Sequence, residues 1–304
     1  MQSIILFSLV GLGYALKKLG IFKSEDSGFL VKLVLRVTMP VLVATSFLST
    51  RIEAKHGGIM LTAAVTTILL LTSWYFIFRL TIKDKALRGT ALLLAFFSNM
   101  GFMGIPFIQN LFGTEGVSFA VLFGQLSSSD FLFFTVGIMI CAAHSPVKHG
   151  KTNGQILKDV LTTPVVLAIP AGVILHFVGL PEVILRAVSL VGDANTFLIM
   201  FAVGLMLQPE KFSLTLALPT LGLSIITLLI YPLTTLAVGR LFHLSQLPLQ
   251  IAVLQSAMPS AVLNVVMAKE YKLNVELSES VLVASTILSA VTLPLWQYWL
   301  SRLA

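Results

Sequence analysis

Apolar residues along the 304-residue chain gather into runs closed by charges or turn residues, near 2–16, 29–49, 58–80, 89–112, 116–143, 159–180, 183–207, 214–242, 247–268 and 277–300. A helix crosses the hydrocarbon of a bilayer with roughly 20 apolar residues, so the pattern predicts an all-α integral membrane protein of ten transmembrane helices. The one sizeable polar stretch between runs, 144–158, is read as a linker between two groups of five spans, 1–143 and 159–304. An odd number of spans per half turns the second half upside down, so similarity between the halves means an inverted repeat. Gly13-Tyr14-Ala15-Leu16-Lys17-Lys18-Leu19-Gly20-Ile21 aligns with Gly172-Val173-Ile174-Leu175-His176-Phe177-Val178-Gly179-Leu180 at an offset of 159, keeping both glycines.

Two of the runs are chemically unsuited to an unbroken helix. The fourth contains Phe97-Ser98-Asn99-Met100-Gly101-Phe102-Met103-Gly104-Ile105-Pro106. Proline lacks an N–H and its ring collides with the carbonyl four residues back, and glycine is the next poorest helix former. The ninth contains Gln255-Ser256-Ala257-Met258-Pro259-Ser260-Ala261-Val262-Leu263-Asn264, within a residue or two of the same offset. Lipid cannot solvate freed backbone groups, so unwound chain at this depth faces protein or a water-filled cavity. Paired interruptions at corresponding places in two halves point to a transporter's binding site near the bilayer midplane.

Composition agrees with membrane residence: 57% of residues are hydrophobic and 11% charged, and the mean hydropathy is +0.96. The net charge of +7 sits in the loops without a basic run on a soluble face, which argues against a nucleic-acid partner. Thirteen Lys and Arg fall in the first loop and every second loop after it, against five on the opposite side. The positive-inside rule then places both termini on the non-cytoplasmic side of a multi-pass protein, in a cell inner membrane. The first run ends in Lys17-Lys18 without a small-residue cleavage pattern and reads as a retained span. Cys141 is the one cysteine and His56, His144, His149, His176 and His243 are scattered, so no metal site is expected and no cofactor is implied.

On these motifs the chain resembles the auxin efflux carrier family, which includes the plant PIN-formed carriers and many compact bacterial permeases. Asn99 to Pro106 keeps that family's Asn-x-x-x-Met-Gly-Ile-Pro spacing, the ninth span runs from Met258-Pro259 to Ala268-Lys269-Glu270-Tyr271, and Val121-Leu122 and Gln125 match in the fifth. The resemblance implies two inverted five-helix repeats whose fourth and ninth helices are unwound and cross each other. It also implies a scaffold of spans 1, 2, 6 and 7 and a transport domain of spans 3–5 and 8–10, which together work as an elevator. Plant members place a second proline where this chain has Asn264; either Pro259 alone breaks the ninth helix, or Asn264 does so by bonding its own backbone. The short central loop places the chain with the compact branch and argues against auxin as the solute.

Ser98, Asn99, Met100, Gly101, Gly104 and Pro106 of the first interruption, with Gln255, Ser256, Pro259 and Asn264 of the second, form the candidate substrate-binding set. Half-helix N-termini meeting there would offer N–H groups and partial positive charge to a carboxylate. The expected solute is therefore a small organic anion, a mono- or dicarboxylate such as malate or malonate. Asp130, the one acid well inside a span, and Gln125 are candidates for a coupling proton or sodium ion. Lys32 and Arg36 are read as snorkelling to the interface, while Asp193 and Asn195 either line the scaffold side of the pathway or cap a helix half after Gly192. The mid-membrane groups are mostly amides and hydroxyls without a histidine partner, which argues against an enzyme. The alternative function is a non-transporting membrane ligand sensor or regulatory subunit. Besides the solute and the lipid bilayer, a homodimer is left open as a partner arrangement, because no helix-dimerisation face emerges.

Overall fold

The computed structural model of the chain describes residues 2–49, 54–127, 132–147, 162 and 164–303. Among them all regular structure is helical. The first half contains α1 (Gln2–Lys18), then α2 (Ser27–Leu33) and α3 (Met39–Ser49) joined by a π-turn at Val34–Thr38, then α4 (Ala54–Thr81), α5 (Lys85–Phe96), α6 (Ile105–Gln125) and α7 (Ile138–His144). The second half contains α8 (Pro164–Val178), α9 (Glu182–Met206), then α10 (Ala217–Ile225) and α11 (Tyr231–Leu241) joined by a π-turn at Ile226–Ile230, then α12 (Gln246–Ser256), α13 (Val262–Glu270) and α14 (Val275–Arg302). Of the expected linker, residues 148–158 lie outside the described residues.

Among the described residues, five stretches are long and apolar enough to cross a membrane: Ser24–Leu48, His56–Thr81, Glu182–Met206, Leu214–Leu241 and Val275–Arg302. Their outer faces carry large apolar side chains such as Ile68, Phe76, Leu80, Leu218 and Leu295, while Thr62, Thr66, Ser224, Ser285 and Ser289 are buried. Apolar groups outside and hydroxyls inside suit lipid as the surrounding solvent. A hydroxyl in hydrocarbon needs a partner, and the buried Ser224 and Ser289 donate to their own helices' carbonyls at Thr220 and Thr286.

Three π-turns stand two residues ahead of a proline: Val34–Thr38 before Pro40, Met100–Gly104 before Pro106, and Ile226–Ile230 before Pro232. A proline cannot donate to the carbonyl four residues back, and the wider turn relieves the clash with its ring. At Pro232 the carbonyl left over is that of Leu228, and the Trp296 indole N–H donates to it at 2.9 Å. The spans expected at 89–112 and 116–143 meet at Gly113, whose φ of 66° and ψ of −162° turn the chain inside α6. That positive φ is one that glycine adopts without strain.

The helices pack as two groups. In the first, α1 lies along α9 and α3 lies along both α8 and α9. Close approach rests on missing side chains: a Cβ on Gly13 would run into the Phe201 carbonyl, one on Gly204 into that of Val10, and one on Gly172 into that of Ala44. The second group contains α4–α7 and α10–α14, with α12 packed on both α6 and α11. The groups meet mainly where α3 lies against α6.

Candidate functional site

The unwound segments of the two halves pair with each other. Asn99 N–H donates to the Pro259 carbonyl at 2.6 Å, and Ala261 N–H donates to the Phe97 carbonyl at 3.0 Å. These bonds flank an antiparallel bridge between Ser98 and Ser260. Backbone groups that neither helix can satisfy are thus satisfied reciprocally, as burial requires. Ser260 N–H donates to Ser285 Oγ at 3.1 Å, tying the crossing to α14. Phe97 makes edge-to-face contacts with Phe96 at 4.9 Å and Phe133 at 5.1 Å, and Phe96 stacks on the buried Tyr231 at 6.0 Å.

Pro106 is not where the first helix unwinds. α5 ends at Phe96, Phe97 and Asn99 leave helical geometry, the π-turn Met100–Gly104 follows, and Pro106 falls in the first turn of α6. Proline is well tolerated at the start of an α-helix, and the π-turn ahead of it clears its ring. The second interruption centres on Pro259, because α13 has already begun at Val262. Asn264 lies within that helix and does not break it. Its Nδ2 donates to the Phe97 carbonyl at 2.8 Å and to Ser260 Oγ at 3.0 Å, so it ties the two interruptions together.

Four amide atoms at this crossing are left over. Asn99 Nδ2, Gln255 Oε1, Gln255 Nε2 and Asn264 Oδ1 are buried and have no hydrogen-bond partner among the described residues. Each such group costs about 1–3 kcal/mol, and an orphan of this kind in a native fold calls for an explanation. Gln255 packs directly on Gly104, where a Cβ would overlap its Oε1. Ser256 Oγ is committed to the Val253 carbonyl at 2.9 Å. Met100 is buried and Gly101 is half-buried, with an ideal Cβ on Gly101 3.7 Å from Met39 Cε of α3. The segments 97–104 and 257–264 contain no ionisable residue. Whatever charge preference the site has comes from amides and from the helix dipoles of α6 and α13, which both start here.

Facing groups come from the first helix bundle. Asn195 does not start a helix half, because α9 is continuous through it. Its Oδ1 accepts from Thr38 Oγ1 at 2.9 Å, and its Nδ2 is another buried orphan. Asp193 accepts from Gln109 Nε2 at 3.2 Å, and Thr196 donates to Gln109 Oε1 at 3.0 Å, so α6 and α9 are linked there. Thr38, Ser260 and Ser285 are buried and Gln109 is half-buried; only their placement in space marks them. Lys32 and Arg36 are exposed. Asp130 and the side chain of Gln125 lie outside the described residues.

Similar proteins agree with this architecture. A family model described as membrane transport protein matches residues 1–297. The chain is 32% identical over 295 residues to a protein of Methanothermobacter thermautotrophicus described as an uncharacterized transporter, covering 95% of this chain and 94% of that one. It is 27% identical over 309 residues to the uncharacterized transporter MJ1031 of Methanocaldococcus jannaschii, covering 96% of each. It is 26% identical over 302 residues to the uncharacterized transporter YfdV of Escherichia coli K12, covering 96% and 94%. With interrupted helices that pair across two halves and a family match along nearly its whole length, the chain belongs to the membrane transport protein family, that of the auxin efflux carriers.

Proposed function

We propose that the protein is a secondary carrier of small organic anions of the mono- or dicarboxylate class, malate and malonate among them, bound where the two interrupted helices cross. The observation that carries this reading is the set of unpartnered amide atoms on Asn99, Gln255 and Asn264, buried in a fold that otherwise satisfies its backbone there. A solute's carboxylate oxygens can accept from Asn99 Nδ2 and Gln255 Nε2, while Gln255 Oε1 and Asn264 Oδ1 call for a donor such as a solute hydroxyl or a water.

In this reading the ten spans form two inverted five-helix repeats with helices four and nine broken. Two contacts support it: Gly13 of α1 sits against α9 at Gly204, and Gly172 of α8 sits against α3 at Ala44, as a repeat offset near 159 requires. The first helix group is the scaffold and the second is the transport domain, which slides as an elevator and carries the crossing with it. Both termini lie on the non-cytoplasmic side of an inner membrane, by the distribution of Lys and Arg. Gln125 and Asp130 form the coupling site for a proton or sodium ion.

The test is uptake by purified protein in liposomes, across a panel of carboxylates, with imposed proton or sodium gradients. Saturable uptake that falls in the Asn99→Ala, Gln255→Ala double variant is expected. Binding without flux would replace the carrier with a ligand sensor, and unaltered uptake by the double variant would remove the crossing as its site. Asp130→Asn is expected to abolish the response to pH or sodium, and an unchanged response sinks the role of Asp130.

A further inference from the structure

A second polar feature lies away from the crossing, at the seam between the two helix groups. A cavity of about 190 Å³ is walled by Val203 and Met206 of α9, Val265 and Val266 of α13, and Leu282 and Val283 of α14. Its inner end reaches Val262 and Thr286, sequence neighbours of Ala261 and Ser285 in the crossing. Three charged residues line it: Lys211, Lys269 and Glu279. Glu279 Oε1 accepts from Lys211 Nζ at 2.8 Å and from Lys269 Nζ at 2.9 Å. The carboxylate is the sheltered partner, 17% exposed, while the lysine side chains are 40% and 54% exposed and so remain reachable.

Two ammonium groups held together by one carboxylate leave one positive charge uncompensated beside apolar walls. A single carboxylate group on a short alkyl body neutralises that charge. At about 30 Å³ per water molecule the cavity has room for roughly six, which is the scale of a small organic acid. Glu279 holds both ammonium groups in place and offsets half of their charge. That moderates the affinity, and a site on a pathway must release what it captures. Lys211 lies in the segment between α9 and α10, where its carbonyl accepts from Ser280 Oγ of α14 at 3.4 Å, Lys269 is in the last turn of α13 and Glu279 belongs to α14. All three charges therefore sit with the second group, facing the α9 wall of the first.

We propose that this cavity is a loading site for a small monocarboxylate, held by Lys211 and Lys269 with Glu279 as the positioning carboxylate, on the way to the crossing. The direction of travel rests on the carrier reading above, while the anion site itself does not.

The experiment places a single reactive thiol on the cavity wall by Val266→Cys in the full-length protein in liposomes; Cys141 is buried, and the chain without the replacement is the blank. Labelling rates are compared for an anionic methanethiosulfonate (sulfonatoethyl) and a cationic one (trimethylammonium-ethyl). The anionic reagent is expected to be favoured, and butyrate is expected to slow it. Lys211→Gln with Lys269→Gln should shift the rate ratio against the anionic reagent by about threefold to tenfold. Glu279→Gln should shift it the other way, a sign reversal that misfolding cannot produce. A ratio that ignores these replacements, butyrate protection that survives loss of both lysines, or protection that follows phosphatidylglycerol content instead of butyrate would each overturn the proposal. Labelling needs no flux, so a failure of the crossing in the uptake assay and a failure of this site are read separately.

Discussion

Two of the places that bring helices from opposite halves of the chain into backbone contact do so by opposite means. Where α1 crosses α9, Gly13 and Gly204 have given up their side chains, and the contact is made of carbon and carbonyl with nothing left over. Where the chain unwinds at Ser98 and Ser260, the contact is made of hydrogen bonds, and amide atoms of Asn99, Gln255 and Asn264 stay unpartnered around it. Helices in lipid gain little from burying more apolar surface, so small residues that admit close packing are the economical way to hold two of them together. The glycine contact is complete in itself. The polar contact leaves amide atoms unpartnered, and the proposed site rests on that difference.

The contrast can be broken most forcefully at the glycine seam. Gly204→Leu should destabilise the fold by about 3 kcal/mol or more, since a Cβ there already meets backbone that cannot move aside. The thermal midpoint and the yield of monodisperse protein report it. Gly11→Leu, on the same α1 at a position with open space around it, should change neither. Equal losses from the two would mean that added side-chain bulk anywhere on these helices, not the crossing, sets the cost.

A smaller effect is expected at the tie between the interruptions. Asn264→Ala removes donation to the Phe97 carbonyl and to Ser260 Oγ, and should cost about 1–2 kcal/mol by chemical unfolding in detergent. No loss would mean that the backbone bridge alone holds the crossing. The smallest change in stability, with the largest split between stability and function, belongs to Gln255. Gln255→Leu removes two buried atoms without partners, so the fold should hold its midpoint or gain up to about 1 kcal/mol while carboxylate uptake falls at least about tenfold. A clear fall in the midpoint would make this amide structural and dissolve the contrast.

What the chain reveals by itself follows the range of the forces involved. The long spans were legible to within a few residues because apolar length is a local property: the expected 183–207 and 277–300 are Glu182–Met206 and Val275–Arg302. Pro106 drew attention to the right region and the wrong residue. Proline is tolerated in a first turn, and the exit of Phe97 from helical geometry is fixed by Pro259 and Ala261 in the other half. For the same reason the sequence leaves open whether Asn264 breaks the helix by bonding its own backbone, since its acceptor, the Phe97 carbonyl, is remote in sequence. Gly13 stood out through its match with Gly172, yet the pairing that gives it meaning, with Gly204, exists only in three dimensions.

The pairing of the interruptions also bears on synthesis. The Phe97 carbonyl enters the bilayer when the first half is inserted, but the Asn264 amide that bonds it lies 167 residues later. At about 5–20 residues per second a ribosome needs roughly 10–30 s to deliver it. Through that interval the nascent half carries an opened stretch of backbone that lipid cannot satisfy. Water, the insertion machinery or a temporary helical conformation must shelter it, so the two interruptions have to wait for each other.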